Sequence, residues 1–470
     1  MADYDLAVIG AGAAGLSVTA VAAQLGLRVA LIERGRMGGD CLNYGCVPSK
    51  ALLAAAHAAR AARDARRFGV RSLEPQIDWP ALQSHIAGVI AAIAPNDSAA
   101  RFRALGATVI EGEARFTGRT TLVVGDEEVR ARRIVIAAGS EPAIPPVPGL
   151  SELPYLTTET LWSPLPRPEH LLILGGGPVG LEIADAYACL GCRVSVVEAE
   201  GIAGKEDPEL VDGLRRILVR RGVVFHEHTK VVAAEPGPTL ILSGDRRLTG
   251  SHLLVATGRR PGLGALNLHA AHVRTTEQGI ATDRGLRSIS NRRVYAVGDI
   301  ADPEGIGPRL FTHAGSYHAG VVIRRALFRL PARIDYSALP RVVYTAPELA
   351  QVGLTEAEAR ARGRRVHILR APIAENDRAQ AERSPEGLLK LVVEQGRVIG
   401  AGILAPGAGE MVTAWEVIVA RRVPLSAVAG MVMPYPTLSE TGKRAAQGYY
   451  APRLFGSGVR TVVRALNRLV

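Results

Sequence analysis

The chain has 470 residues, 47% of them apolar, which is too long for one ordinary core and implies two to four globular domains. Its formal charge of +11 would suit a nucleic-acid partner, but aromatics make up only 4% and no basic block is interleaved with them, which argues against that class. No apolar run reaches the ~20 residues of a membrane span, no charged leader precedes the first strand, and the cysteines number four, so the chain reads as cytoplasmic, where a close cysteine pair is catalytic before it is structural.

The apolar run Asp5 to Ile9 has strand length and leads into Gly10-Ala11-Gly12-Ala13-Ala14-Gly15, a small-residue helix, and a second strand, Arg28 to Ile32, ending at Glu33. This is a βαβ unit with a full dinucleotide fingerprint. Gly10 makes the tight turn, Gly12 admits the pyrophosphate and Gly15 lets helix pack on strand, while Glu33, 23 residues after Gly10, is placed to accept from ribose hydroxyls.

Directly afterwards comes Gly38-Gly39-Asp40-Cys41-Leu42-Asn43-Tyr44-Gly45-Cys46-Val47-Pro48-Ser49-Lys50. Two thiols beside a redox cofactor suggest electron transfer through sulfur. Five residues of regular helix rise about 7.5 Å, whereas a disulfide needs Cα atoms within about 7 Å. A Cys41–Cys46 bond therefore requires distorted chain, which Gly38, Gly39 and Gly45 permit. The alanine-rich run predicts a helix over 50–67, its N-terminus close to Cys46 and favourable to a thiolate.

Ile134 to Ser140, ending in Gly139, and Leu253 to Arg259, ending in Gly258, repeat one pattern, a strand with a small-Gly turn that closes a nucleotide-binding half. Prolines 142, 145, 146 and 148 predict a stiff linker and a domain boundary near Gly149. The fingerprint then recurs, with strand Leu171 to Leu174, Gly175, Gly177 and Gly180, a helix, and strand Arg193 to Val197 ending at Glu198, again 23 residues after its first glycine. Two fingerprints in identical register predict two dinucleotides, as transfer from a nicotinamide to a flavin requires. Glu198 would repel a 2′-phosphate, so NADH is favoured, with Lys205 leaving room for NADPH. Cys189 and Cys192 form a second Cys-x-x-Cys at the end of that helix, a core-packing place.

Strand Arg293 to Val297 presents Asp299, where the chain returns to the first domain, and the segment from about Pro340 has no nucleotide signature. In the tail, apolar residues at 459, 462, 463, 466, 469 and 470 and arginines at 460, 464 and 468 form opposite faces at helical period, suited to docking on the protein itself or on an anionic membrane.

The Cys-x4-Cys run through Pro48-Ser49-Lys50, both fingerprints, Tyr295 to Asp299 and Pro436-Thr437 to Glu440 resemble the flavoprotein disulfide reductases, the pyridine-nucleotide family that includes dihydrolipoyl dehydrogenase, glutathione reductase and mercuric reductase. The resemblance covers essentially the whole chain. It implies an α/β fold of two Rossmann-like dinucleotide-binding domains, for FAD and NAD(P), plus an α+β C-terminal dimerisation domain. The expected division is 1–149 and 271–339 for FAD, 150–270 for NAD(P)H, 340–456 for dimerisation, and 457–470 for the amphipathic basic helix.

By the same resemblance, Cys46 is the thiol that contacts the flavin and Cys41 the one that exchanges with substrate. Lys50 resembles the lysine near flavin N5, Glu182 its partner on the nicotinamide side, and Asp299 the aspartate on the ribityl chain. His313 and His318 open a helix near the flavin, where His313 takes a supporting or packing role. The enzyme expected is a homodimer, with Tyr435 and Glu440 donated across the subunit boundary. The acceptor is a small disulfide, a lipoyl group or a thiol-bound metal ion; a membrane-recruited flavoprotein serving a protein or quinone is a further reading, and no resident metal is expected.

One position departs from the dehydrogenase pattern. Dihydrolipoyl dehydrogenase and glutathione reductase carry a histidine as acid-base where this chain has Tyr435, with Glu440 retained. A phenol of ordinary pKa near 10 moves protons poorly at neutral pH compared with imidazole. Mercuric reductase is similar in having Pro-Tyr here, and soft thiolates bind soft metal ions; its C-terminal cysteine pair has no counterpart, since the last cysteine here is Cys192.

Overall fold

The protein is described from a computed structural model over residues 2–468; Met1, Leu469 and Val470 lie outside the described residues, and with them the last two apolar positions of the tail. The chain divides into two compact units, one made of Met1–Ala55, Gln76–Gly175 and Val231–Ile334, the other of Ala56–Pro75, Gly176–Lys230 and Asp335–Val470.

At the centre of the first unit is a parallel five-stranded sheet. Strand β1 (Leu6–Ile9) is flanked by β2 (Val29–Glu33) and by Ile134–Ile136, with β3 (Ala107–Glu111) beyond β2 and Val294–Ala296 at the other edge. Every residue of β1 is buried, which is why its sequence is a continuous apolar run and does not alternate. The chain leaves β1 and crosses through helix α1 (Ala13–Gln24) to β2, while the next strand on the other side arrives much later. That reversal of strand order opens a crevice at the carboxyl end of β1, the usual place for a dinucleotide.

The proline-rich segment after this sheet is not a free spacer. Ser140–Pro142 pairs antiparallel with Arg259–Pro261, and Pro148 accepts a backbone hydrogen bond from Ala234. The missing donors of Pro142 and Pro261 are tolerated because both sit in that short two-stranded ribbon. Strand His170–Leu174 in this unit pairs parallel with His252–Val255.

In the second unit Arg193–Val197 pairs parallel with Val223–His226. The segment from 341 onward builds an antiparallel five-stranded sheet, in the order Arg341–Val343, Glu348–Gly353, Arg397–Ala405, Leu388–Glu394, His367–Pro372. Helices Ala408–Ala420 and Glu440–Leu454 cover it through Val412, Trp415, Ala445 and Ala446. A buried lysine, Lys390, is held at 2.9 Å by each of Asp207, Glu209 and Glu356, so its charge is compensated where desolvation alone would be costly.

Candidate active site

The cysteine motif folds as two helices with a break between them. Helix α2 (Gly39–Asn43) carries Cys41 and helix α3 (Cys46–Asp64) begins at Cys46 itself. The predicted helix over 50–67 therefore starts four residues earlier and gives way to a 3-10 turn at Ala65–Phe68. Pro48 explains the early start, because a proline in the first turn lacks only an amide that would be unpaired there anyway. The expected distortion falls at Tyr44 and Gly45, and Gly38 and Gly39, at φ 88 and 60, supply the left-handed turn that leads in. A Cβ on Gly39 would fall 2.6 Å from Gly12 Cα, so the redox loop is pressed against the first fingerprint.

Side chains the sequence reading did not single out hold this loop. Asn43 Nδ2 donates to the carbonyls of Met37 and Gly39 at 3.0 and 2.8 Å, and Trp162 Nε1 donates to the carbonyl of Tyr44 at 2.7 Å.

Cys41 is half-buried, Cys46 is exposed, and both are free thiols. The two behave as a pair. Cys41 donates to Cys46, which pushes the Cys41 thiol well above its ordinary range and lowers Cys46 to about 6. Partial desolvation opposes the lowering, while the Thr312 hydroxyl, 3.3 Å from Cys46 Sγ, and the charge of Lys50 assist it. Lys50 Nζ also donates to Ser49 Oγ at 3.3 Å. Cys46 stands at the N-terminus of α3 and Thr312 at that of helix Thr312–Val322, where backbone dipoles favour an anion. Both shifts favour the proton on Cys41 and the negative charge on Cys46.

A polar relay runs beside the pair. Arg259 Nη2 donates to Asp40 Oδ1 at 3.0 Å and to the Ser140 carbonyl at 2.8 Å; its Nε donates to Ser140 Oγ at 2.7 Å, and Ser140 Oγ donates to Asp299 Oδ2 at 2.6 Å. Burial pushes the Asp299 carboxyl up, with Ser140 and Arg259 drawing it back. Ser140 and Arg259 each follow the glycine of one repeated segment, Gly139 and Gly258, and that symmetry was their signal in the sequence.

His318 is fully buried and its Nδ1 accepts from Gly298 N at 3.0 Å. Burial lowers its pKa to about 4, so it is a neutral pin for the turn that carries Asp299. His313 stacks on Phe311 at 5.2 Å between ring centroids.

The two fingerprints share one geometry. Gly10 and Gly175 have φ of 102 and 114, and a Cβ on either would fall 2.4 Å from a carbonyl oxygen, of Ala137 and Ala256 respectively. A Cβ on Gly15 would lie 1.9 Å from Gly10 O, and Gly180 is buried in helix Pro178–Cys189. At the middle glycines the surroundings are open. Among the described residues a Cβ on Gly12 would meet only Gly39 Cα, at 3.8 Å, and one on Gly177 would meet nothing within 4 Å. The turns are thus closed to any side chain where the fold needs them and clear where a pyrophosphate would lie, which fits two dinucleotides.

The acids are matched as well. Glu33 accepts from Ala11 N at 2.6 Å and Gly35 N at 2.7 Å, and Glu198 from Gly176 N at 2.7 Å and Glu200 N at 3.0 Å. Each buttresses its own glycine loop, a role added to the ribose contact expected from sequence.

The remaining site residues lie in the second unit. Glu182 is buried and accepts from Tyr344 N at 3.0 Å. Tyr435 is exposed and its Oη donates to Asp377 Oδ2 at 2.9 Å, while Glu440 accepts from Thr437 N at 3.2 Å. The hydrogen bond to Asp377 raises the Tyr435 phenol above its ordinary pKa, with a smaller push from the Glu440 charge.

Residues 4–321 match the family model described as pyridine nucleotide-disulphide oxidoreductase, and residues 339–446 match the dimerisation domain of the same family. The chain belongs to the pyridine nucleotide-disulphide oxidoreductase family and is an oxidoreductase that uses FAD and NAD(P)H. Over 466 residues it is 38% identical to a mercuric reductase of Streptomyces lividans, covering 95% of this chain and 96% of that one. Identity to dihydrolipoyl dehydrogenase 3 of Pseudomonas aeruginosa is 35% over 469 residues, covering 95% and 98%. Among solved structures, the Cu(II) complex of the HOCl-induced flavoprotein disulfide reductase RclA from Escherichia coli superposes with a TM-score of 0.83 at 26% identity, covering 93% of this chain and 98% of that chain.

Proposed function

We propose that the protein is an NADH-dependent reductase in which electrons pass through FAD to Cys41–Cys46 and from that pair to a thiol-bound soft metal ion or a small disulfide. The observation that carries this reading is the Cys41–Cys46 pair set across the break between α2 and α3, with Cys46 at a helix N-terminus and its sulfur 3.3 Å from the Thr312 hydroxyl. FAD, when bound, supplies the two-electron relay between nicotinamide and sulfur. Thr312 and Lys50 stabilise the Cys46 thiolate, and Asp299, Ser140 and Arg259 would hold the ribityl side of FAD, with Lys50 near its ring and Glu182 serving the nicotinamide. For a disulfide acceptor, the Cys41 proton passes to Cys46 as the Cys41 sulfur attacks one acceptor sulfur, and the first thiolate leaves taking that proton on from Cys46. Cys46 then attacks Cys41 Sγ, forming the internal disulfide and expelling the second thiolate. For a soft cation the two sulfurs serve as ligands, and no histidine base is required.

The metal reading is favoured over lipoyl because the proton-transfer position is Tyr435, whose hydrogen bond to Asp377 makes its phenol harder still to ionise. Glu198 at the end of its strand supports NADH over NADPH. We further propose that 1–149 and 271–339 bind FAD, 150–270 bind NADH, and 340–456 form a homodimer that places Tyr435 and Glu440 against the partner's thiols, in the cytoplasm.

Anaerobic titration with NADH should develop a long-wavelength thiolate-to-flavin absorbance, and turnover should be supported by Hg(II) more strongly than by glutathione disulfide or lipoamide. Tyr435→His should raise lipoamide turnover. Efficient lipoamide turnover by the unaltered protein would overturn the substrate assignment, and a titration that ends without the thiolate band would overturn the thiol relay.

A further inference from the structure

Helix Ser457–Leu466 has no buried residue. Its valines 459, 462 and 463 and Leu466, spaced as one face of a helix, are 39, 57, 47 and 57% exposed, and Leu454 and Phe455 extend the apolar strip at 58 and 62%. A ten-residue helix of this kind is marginal in water by itself, because nucleation is costly and most helical stability comes from packing an apolar face. Within the described residues that face is uncovered. Charge indicates what covers it. From Thr441 to Val470 the sequence has no Asp or Glu, and its cations are Lys443, Arg444, Arg453, Arg460, Arg464 and Arg468. Arg460 and Arg464 are exposed and lie off the valine stripe, on the flank and the far side of the helix.

We infer that this helix docks the protein on an anionic lipid surface, lying in the interfacial plane with Val459, Val462, Val463 and Leu466 among the acyl chains and the arginines at the headgroups. A second copy presenting the same tail is a poorer occupant of this face, since 441–470 carries six cations and no carboxylate side chain to meet them. No helix of the described residues is long and apolar enough to cross a membrane, so the contact is peripheral. The shallow apolar face and the cationic flanks contribute together, as stable reversible anchoring generally needs two signals.

Vesicle flotation of the full-length holoenzyme tests the inference independently of catalysis. Binding should be strong to phosphatidylglycerol vesicles, weak to phosphatidylcholine vesicles and reduced by salt. Replacing Arg460, Arg464 and Arg468 together by Gln should weaken partition roughly 100-fold, at about fivefold per cation near the surface. Val462→Asp with Leu466→Asp should abolish partition, with FAD content and NADH oxidation unchanged. Equal binding to neutral and anionic vesicles, or binding unaffected by deletion of 457–470, overturns the inference. A deletion that turns a dimer into monomers by light scattering overturns it in favour of a second copy. Failure to turn over Hg(II) or a disulfide bears only on the proposed function.

Discussion

The molecule has two cysteine pairs close in sequence, and their surroundings give them opposite chemistry. Cys46 opens a helix, faces Thr312 and Lys50, accepts from Cys41 and is lowered to about 6. Cys189 closes a helix, is buried, and donates to Asp185 Oδ1 at 3.7 Å; burial first, then the Asp185 charge, raises it to about 11. That carboxylate already serves Arg221 Nη1 and the backbone of Ala346, both at 2.7 Å, so the second pair sits in a structural hub. Spacing made both pairs visible. Helix polarity, nearby charge and solvent access decide which one is a nucleophile.

The largest effect that sharpens this contrast is Cys46→Ser, which should abolish both the thiolate-to-flavin absorbance and acceptor reduction while FAD stays bound; Cys189→Ala should retain both. Persistent disulfide reduction in Cys46→Ser would falsify the relay. Next comes selective alkylation of the reduced protein at pH 7. Values of about 6 and about 11 imply thiolate fractions differing by roughly 10⁴ between Cys46 and Cys189. Peptide mapping after iodoacetamide should therefore find Cys46 labelled and Cys189 protected, and comparable labelling in the folded state would break the comparison. Because the Cys46 pKa is depressed, its thiolate persists above about 6 and is lost as pH falls through that value, so labelling and the absorbance band should fade together there.

A smaller shift is expected for Thr312→Val. Losing a hydrogen bond to a charged sulfur, worth about 1.5–3 kcal/mol, should raise the Cys46 transition by roughly one to two pH units. Smallest is the Asp40–Arg259 pair. The Asp40 charge raises both thiols, so Asp40→Asn should move the Cys46 transition down. Arg259→Gln leaves that carboxylate without its guanidinium and should move the transition up, each by less than about one unit for partly exposed groups. Shifts in the same direction would show that Arg259 acts only by holding the loop.

The parallel sheet was legible in sequence because strands buried on both faces must be continuously apolar, and the glycine fingerprints because only glycine fits beneath Ala137 O and Ala256 O. The helix expected over 50–67 from its alanine-rich run starts four residues earlier, because Pro48 is accepted as a first-turn residue. Thr312, Trp162, Asn43 and Asp377 carried no local signature. Their roles depend on partners 266, 118, 4 to 6 and 58 residues away, and apart from Asn43 those separations exceed any helix or strand period.

By itself, the sequence determined the family and displayed the two glycine fingerprints, the Cys41–Cys46 spacing and a tyrosine at position 435, because each follows from local covalent spacing or from which side chain is present. Only the tertiary structure decided the state of the sulfurs. A thiol's pKa depends on which of the two sulfurs accepts the other's hydrogen and on the Thr312 hydroxyl that folding brings from 266 residues away, neither of which is encoded in the cysteine motif alone.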